Sequence, residues 1–247
     1  MPKAGELAYL ANLGDGGREH SLEKPFSDPS CGINLASIGF MMTLLPQPPA
    51  RILDLGCGGG WTSTFFAKRG YDVIGQDIAP DMIEVARENC ARHGLEQRLS
   101  FTCSDFEALD MDNQFDAAIF FDSLHHAEDE LLAIRSAWRA LKPGGVLITH
   151  EPGDGHATSP DSIAAMQVYG VTERDMPPRL IMQRGAEVGF KDFRVVPLPQ
   201  YLHYLFYEPR TYPKRLWSKR RWTMTKRVLK LLFDPDPGAG AIVIMTK

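Results

Sequence analysis

The chain has 247 residues, 44% of them hydrophobic, with a formal net charge of −4. That size and apolar fraction suit one α/β domain with a small accessory element, and the overall charge points to no particular class of partner. The four cysteines (Cys31, Cys57, Cys90, Cys103) show neither CxxC nor zinc-ligand spacing, which excludes a disulfide scaffold and a zinc module.

Those thiols read as buried or incidental in a reducing compartment. The opening MPKAGELAYLANLGDGG lacks the long apolar run of a secretory signal. No stretch reaches the ~18 apolar residues that a spanning helix needs. A soluble, cytoplasmic protein is expected.

Residues 1–30 are polar and broken by Gly14, Gly16, Gly17, Pro25 and Pro29, so an irregular arm is expected there. Residues 33–45, INLASIGFMMTLL, are apolar up to Pro46 and suit a helix laid over a sheet. Such a helix is either plain core cover or a cap, with residues near Phe26 and Asn34 closing a site.

The informative stretch is 51–61, RILDLGCGGGW. Ile52, Leu53 and Leu55 suit a short strand of a parallel sheet. Asp54 interrupts them, and then come Gly56, Cys57, Gly58, Gly59, Gly60 and Trp61. A strand that stops in glycines and restarts as a helix leaves free N–H groups and no Cβ to block a ligand. A dinucleotide G-x-G-x-x-G fingerprint would need glycine where Trp61 stands. The NTPase phosphate loop would need a G-K-[ST] ending, and no lysine follows these glycines.

What remains is D-x-G-x-G-x-G, running from Asp54 to Gly60. It resembles the first motif of the class I S-adenosylmethionine-dependent methyltransferases. In that family the loop wraps the amino-acid end of S-adenosyl-L-methionine, where an acid such as Asp54 suits the ammonium group. The resemblance thus implies cofactor contacts from Asp54, Gly56, Cys57, Gly58 and Trp61.

A second strand over 71–74 leads to Asp77, 19 residues beyond Gly58. An acid at that strand end can accept from both ribose hydroxyls, which suits any nucleoside ligand. Ile78 and Met82 would offer apolar faces to an adenine. Pro80 and Gly94 punctuate the helix that follows.

A third strand over 99–102 runs into Cys103, Ser104, Asp105 and Phe106. The resemblance implies that an acid here meets the adenine amino group. A fourth strand over 115–121 (FDAAIFF) ends in Phe121 and Asp122 and passes into DSLHH. A helix over 128–141 stops at Lys142-Pro143-Gly144-Gly145, and a fifth strand follows over 146–149. The run from FDAAIFFDSLHH to VLITHEP resembles the small-molecule and ubiquinone-type methyltransferases.

Further on, a short helix is expected near Ser159-Pro160-Asp161 and another over 178–188. Strand six is expected over 193–196, and an apolar last strand over 241–245. In the family the last strand inserts antiparallel between strands five and six. The implied fold is α/β: a Rossmann-like three-layer sandwich around a seven-stranded, mostly parallel sheet. The expected division is an arm and cap helix (1–49), the cofactor-binding core (50–200), a basic–aromatic helical insertion (201–237) and the last strand (238–247).

The insertion is a compositional anomaly. Residues 201–234 hold nine Lys/Arg (Arg210, Lys214, Arg215, Lys219, Arg220, Arg221, Lys226, Arg227, Lys230) against Glu208 and Asp234. Trp217, Met224, Val228 and Leu231 fall on one helical seam. It reads either as an amphipathic helix packed on its own domain or as a docking surface. The docking partners open to it are an anionic membrane surface met by 210–233, a lipid- or nucleotide-linked sugar, or RNA.

Ligands of open parallel sheets bind beyond the carboxyl ends of the strands. Candidates for proton transfer are therefore Asp122, His125, His126, His150, Glu151 and His156. The family resemblance favours His126 as base, with Glu151 second. No metal is expected, because the cluster has no helical i, i+4 His pair and no short ligand motif. The expected acceptor is a hydroxyl on a small metabolite or a sugar. The segment GDGHATSP…YGVTERDMPPRL loosely resembles methyltransferases of bacterial surface-glycan assembly. Two other readings stay open: an RNA methyltransferase, against which DSLHH departs from the Asn/Asp-Pro-Pro-Tyr motif, and a catalytically silent, membrane-associated cofactor binder.

Overall fold

The computed structural model describes residues 3–14, 16–207, 219–234 and 238–247. The strands are β1 Arg51–Leu55, β2 Asp72–Asp77, β3 Leu99–Cys103, β4 Phe115–Phe121, β5 Leu141–Glu151, β6 Lys191–Pro197 and β7 Ala241–Thr246. The helices are α1 Ala4–Leu7, α2 Tyr9–Asn12, α3 Gly17–Glu23, α4 Cys31–Leu44, α5 Trp61–Arg69 and α6 Pro80–Arg92. They continue with α7 Glu130–Ala140, α8 Pro160–Tyr169, α9 Pro178–Val188, α10 Pro199–Leu202 and α11 Lys219–Phe233.

The strands form one sheet in the order β3-β2-β1-β4-β5-β7-β6. Neighbours from β3 to β5 pair parallel, and β7 runs antiparallel to both β5 and β6. The expected seven-stranded topology with an inserted antiparallel last strand is therefore present. Chain order reverses between β1 and β4, and this is where open α/β sheets leave a crevice for ligands.

Strand periodicity sorts the core into two layers. Ile52, Ala117, Ile119, Ile148, Ile242 and Ile244 face one side, packing with Ile38 and Met41 of α4 and Phe66 of α5. Leu53, Ala118, Phe120, Leu147, Val243 and Met245 face the other, against Ile134 and Ala137 of α7 and Ile181 of α9. Register couples the alternation across strands: Ile52 opposes Ala117 and Leu53 opposes Ala118.

Three expectations need correction. The N-terminal arm is helical, not irregular. Gly14, Gly16 and Gly17 separate α2 from α3, and Leu10 and Leu22 bury against Ala79, Met82 and Val85 of the α6 region. Helices this short gain their stability from such packing, which a propensity reading does not see. The helix at Ser159 runs on to Tyr169, capped by the Ser159 hydroxyl accepting from the Ser162 N–H at 3.1 Å and closed by Gly170 in the left-handed region. Strand β5 begins at Leu141 rather than after the glycines, with a register shift between Phe115 and Ala117.

In the basic–aromatic segment, α11 sets Met224 and Val228 against the core while Trp222, Leu229 and Phe233 stay exposed. Arg210, Lys214, Arg215 and Trp217 lie outside the described residues, as does 208–218 as a whole. Among the described residues, no helix is long and apolar enough to cross a membrane.

Candidate active site

A cavity of about 580 Å³ opens at the carboxyl ends of β1, β2 and β4, under the N-terminal helices and α4. Its lining includes Gly56, Cys57, Gly58, Trp61, Asp77, Ile78, Met82, Asp105, Phe106, Phe121, Asp122 and His126. These twelve residues singled out in the sequence therefore meet at one place. Asp54, Ser104, His125, His150, Glu151 and His156 do not line it.

The loop after β1 needs glycine for two different reasons. Gly60 has φ +76°, and a Cβ there would lie 3.0 Å from Ala86 Cβ and the Phe101 ring, so its bareness serves packing. Gly58 has φ +52°, and a Cβ there would meet nothing within 4 Å, so its bareness faces the cavity. The Gly58 N–H donates to Asp77 Oδ2 at 2.8 Å, and the Ala79 N–H donates to Oδ1 at 3.0 Å. The end of β2 is thereby locked to the glycine loop. Burial raises the Asp77 pKa despite these two donors.

Asp54 turns away from the cavity. It is 1% exposed, and its Oδ2 accepts from the Thr62 and Ser63 hydroxyls, each at 2.6 Å. It pins the start of α5 to β1 rather than reaching a ligand. Burial pushes its carboxyl up to about 6, against the pull of the two hydroxyls.

Ser104 likewise does not line the cavity. Its carbonyl accepts from Gln76 Nε2, and its hydroxyl is buried without a protein partner. Asp105 faces the cavity but is engaged: Lys3 Nζ donates to its Oδ2 at 2.6 Å and also lies 2.8 Å from Glu107 Oε1. Phe121 stacks on the His150 ring at 4.5 Å and meets Trp61 edge-on at 5.4 Å. Asp122, at φ +48°, accepts from His150 Nδ1–H at 3.0 Å, and His150 Nε2 lies 3.2 Å from Ser37 Oγ of α4. Asn34 of α4 lines the cavity, so that helix is both core cover and cap, whereas Phe26 is exposed.

The far side of the cavity is built from histidines and carboxylates. Glu151 is fully buried and saturated, and this rules against it as a base. Its Oε1 accepts from the Ser123 and Leu124 N–H groups at 3.1 and 2.8 Å, and its Oε2 accepts from His125 Nδ1–H at 2.7 Å. It shapes the loop after β4 instead. His126 Nδ1–H donates to the Thr172 carbonyl at 2.6 Å. Burial opposes its protonation, but Glu6, Glu173 and that carbonyl outweigh it and raise its pKa to about 9. Glu173, which lines the cavity, accepts from His156 Nε2–H at 2.6 Å and lies 3.6 Å from His125 Nε2.

Glu173, Glu6 and Lys3 were not singled out in the sequence. Lys3 and Glu6 sit in the segment read as an irregular arm, and Glu173 lies in the YGVTERDMPPRL stretch without being picked out there.

Among the described residues, the lining carries six carboxylates (Glu6, Asp28, Asp77, Asp105, Asp122, Glu173) against two lysines, Lys3 and Lys24, and no arginine. Such a surface favours a cationic ligand and repels a pyrophosphate. Together with the open face of Gly58, the acid at the end of β2 and the apolar Ile78 and Met82, it fits S-adenosyl-L-methionine. Gly58, Asp77, Ile78, Met82 and Asp105 all line that cavity.

Residues 52–145 match the family described as "Methyltransferase domain". The ubiquinone biosynthesis O-methyltransferase of Xanthomonas campestris pv. campestris (strain B100) is 32% identical over 119 residues, which cover 48% of this chain and 50% of that protein. The chain thus spans about half the length of the curated relatives it matches. Phosphoethanolamine N-methyltransferase 2 of Haemonchus contortus, solved with S-adenosyl-L-methionine, superposes with a TM-score of 0.65 at 20% identity, over 95% of this chain and 56% of that one. An S-adenosylmethionine-dependent methyltransferase from Mesorhizobium loti superposes with a TM-score of 0.60 at 20% identity, over 86% and 98%. At such identities the superpositions speak to fold, while the sequence match speaks to the domain. Residues 52–145 thus match a methyltransferase domain, and the chain around them shares the fold of solved S-adenosylmethionine-dependent methyltransferases.

Proposed function

We propose that the protein transfers a methyl group from S-adenosyl-L-methionine to a hydroxyl of a small-molecule acceptor. The observation that carries this reading is one cavity with the glycine loop and Asp77 at one end and His126 and Glu173 at the other. When bound, the cofactor supplies an electrophilic methyl carbon on a sulfonium. Asp77 and Gly58 orient the nucleoside end, and Ile78 and Met82 give its base an apolar face. The α4 cap and the N-terminal helices exclude water above it.

On the acceptor side, the Nδ1 proton of His126 is committed to Thr172, so in the neutral ring, favoured above its raised pKa of about 9, Nε2 is the atom able to take a proton from the acceptor hydroxyl. Glu173 stays ionised beside it, since the hydrogen bond from His156 and the neighbouring histidines outweigh its burial, and it stabilises the resulting imidazolium. Glu151 is a positioning residue that fixes the loop carrying His125 and His126. Positioning of the two reactants in line supplies most of the acceleration in such a displacement.

The ubiquinone relatives support an oxygen acceptor on a small molecule. The six carboxylates argue for a neutral or cationic one, against RNA and against a nucleotide-linked sugar. The test is to incubate the protein with methyl-labelled cofactor and a panel of phenols, polyols and amines, reading label transfer by mass spectrometry. Transfer to hydroxyl acceptors that falls at least tenfold in His126→Gln supports the reading. Transfer to amines alone, or to none of the panel in a protein that binds the cofactor, overturns it.

A further inference from the structure

We propose that His125, His126 and Glu173 form a binding site for a divalent transition-metal ion, open toward the cofactor cavity. One ligand atom from each of the three lies within 4.8 Å of the others. Two histidines and a carboxylate are a donor set that suits zinc and ferrous iron better than magnesium, which prefers oxygen.

Hydrogen bonding has already oriented the imidazoles. A carboxylate and a carbonyl can only accept, so Glu151 and Thr172 place the protons of His125 and His126 on Nδ1. Each ring, on giving up any second proton to solvent as an ion binds, presents the lone pair of Nε2. Glu–His and carbonyl–His pairs of this kind stand behind most metal-bound histidines. Glu173 is held in its turn by His156 at 2.6 Å.

His125 Nε2 lies 3.6 Å from Glu173 Oε2, a separation at which the two atoms can share one ion. With bonds of ~2.0–2.2 Å to a tetrahedral ion, ligand atoms stand roughly 3.3 Å apart. The His125–Glu173 edge is thus nearly at bonding geometry, and the widest edge needs to close by about an ångström and a half.

Charge balance gives a second, independent argument. Glu6, Glu151 and Glu173 are largely buried around this cluster, with side chains 16%, 0% and 10% exposed. Among the described residues no lysine or arginine forms an ion pair with them, and their ion-pair partners are histidines. Buried carboxylates need a cation; histidines supply it only while protonated, and a divalent ion can take their place.

His126 and Glu173 both line the cavity, so the ion's free positions face an incoming acceptor. In the loaded protein His126 acts as a ligand, and the ion lowers the pKa of the acceptor hydroxyl in its place. The inference does not rest on methyl transfer, because loading is measured without cofactor or acceptor.

The test uses the full chain, stripped with chelator and titrated with Zn²⁺ against a chromophoric competitor, with Mg²⁺ in a parallel titration. Visible absorption of the Co²⁺-loaded protein reports the ligand set. The expected result is one Zn²⁺ per chain, weakened at least tenfold in Glu173→Gln and in His125→Gln and unchanged in His93→Gln, a histidine remote from the site. Should either site variant fail to unfold cooperatively, the Co²⁺ spectrum of the unaltered protein decides, by showing nitrogen–oxygen coordination or only the hexaaquo ion. Absence of stoichiometric Zn²⁺ binding, equal binding in the site variants, or Mg²⁺ binding without Zn²⁺ would overturn the proposal.

Discussion

Asp54 carries a cost that can be measured. Its carboxyl is raised from the ordinary 3.8 to about 6 because burial disfavours the charge more than the Thr62 and Ser63 hydroxyls favour it. The folded state therefore holds the Asp54 proton more tightly than the unfolded chain does. The stability this confers is fully present below pH 3.8 and is lost as pH rises through about 6. At ~1.4 kcal/mol for each tenfold change in proton affinity, the ionised form costs ~3 kcal/mol at neutral pH. About 2 kcal/mol of this falls between pH 7.5 and 4.5. Asp54→Asn keeps an oxygen for the two hydroxyls and removes the titration. Urea unfolding of both proteins at the two pH values isolates the residue, since every other titrating group is common to both. The variant should gain about 2 kcal/mol on the parent at pH 7.5 compared with pH 4.5. A difference between the two proteins that is the same at both pH values would refute the reasoning.

Three other substitutions test the local accounts. Gly58→Ala places a methyl in open cavity space at φ +52°, so stability should fall by only ~1–2 kcal/mol while S-adenosylmethionine affinity drops at least tenfold. Gly60→Ala pushes a methyl 3.0 Å from Ala86 and Phe101, so urea unfolding should show the larger loss, ~2–4 kcal/mol. Equal stability losses for the two would contradict the division of labour in the glycine loop. Glu151→Gln sets an amide N–H₂ against backbone donors at Ser123, Leu124 and His125, and should destabilise by ~2–4 kcal/mol. A loss under ~0.5 kcal/mol would mean that Glu151 does not hold the loop after β4.

The sheet was legible because its strands are short apolar runs ended by turn residues, a local signal that parallel pairing does not disturb. The same is true of Gly58 and Asp77, whose separation in sequence reflects one strand–loop–helix–strand unit. Side-chain direction at strand ends was not legible. Asp54 and Glu151 both sit where acids can face a ligand, but both are claimed by donors that a linear pattern does not reveal: two hydroxyls of the next helix and three consecutive N–H groups. The acceptor side was least visible. Glu173 reaches His125 and His156 only through the packing of the segment after α8, and Glu6 reaches Thr172 across 166 positions of sequence. The N-terminal helices were missed for a related reason, since their glycines mark boundaries and their stability lies in contacts with α6.

The most direct test of the central claim is calorimetric titration of the chain with S-adenosylmethionine, beside NAD and beside Asp77→Ala. The account predicts one site per chain for S-adenosylmethionine, at least tenfold weaker in the variant, and no heat from NAD, whose pyrophosphate would meet six carboxylates. Preference for NAD, or S-adenosylmethionine binding indifferent to Asp77, would contradict the assignment of the cavity and every role built on it.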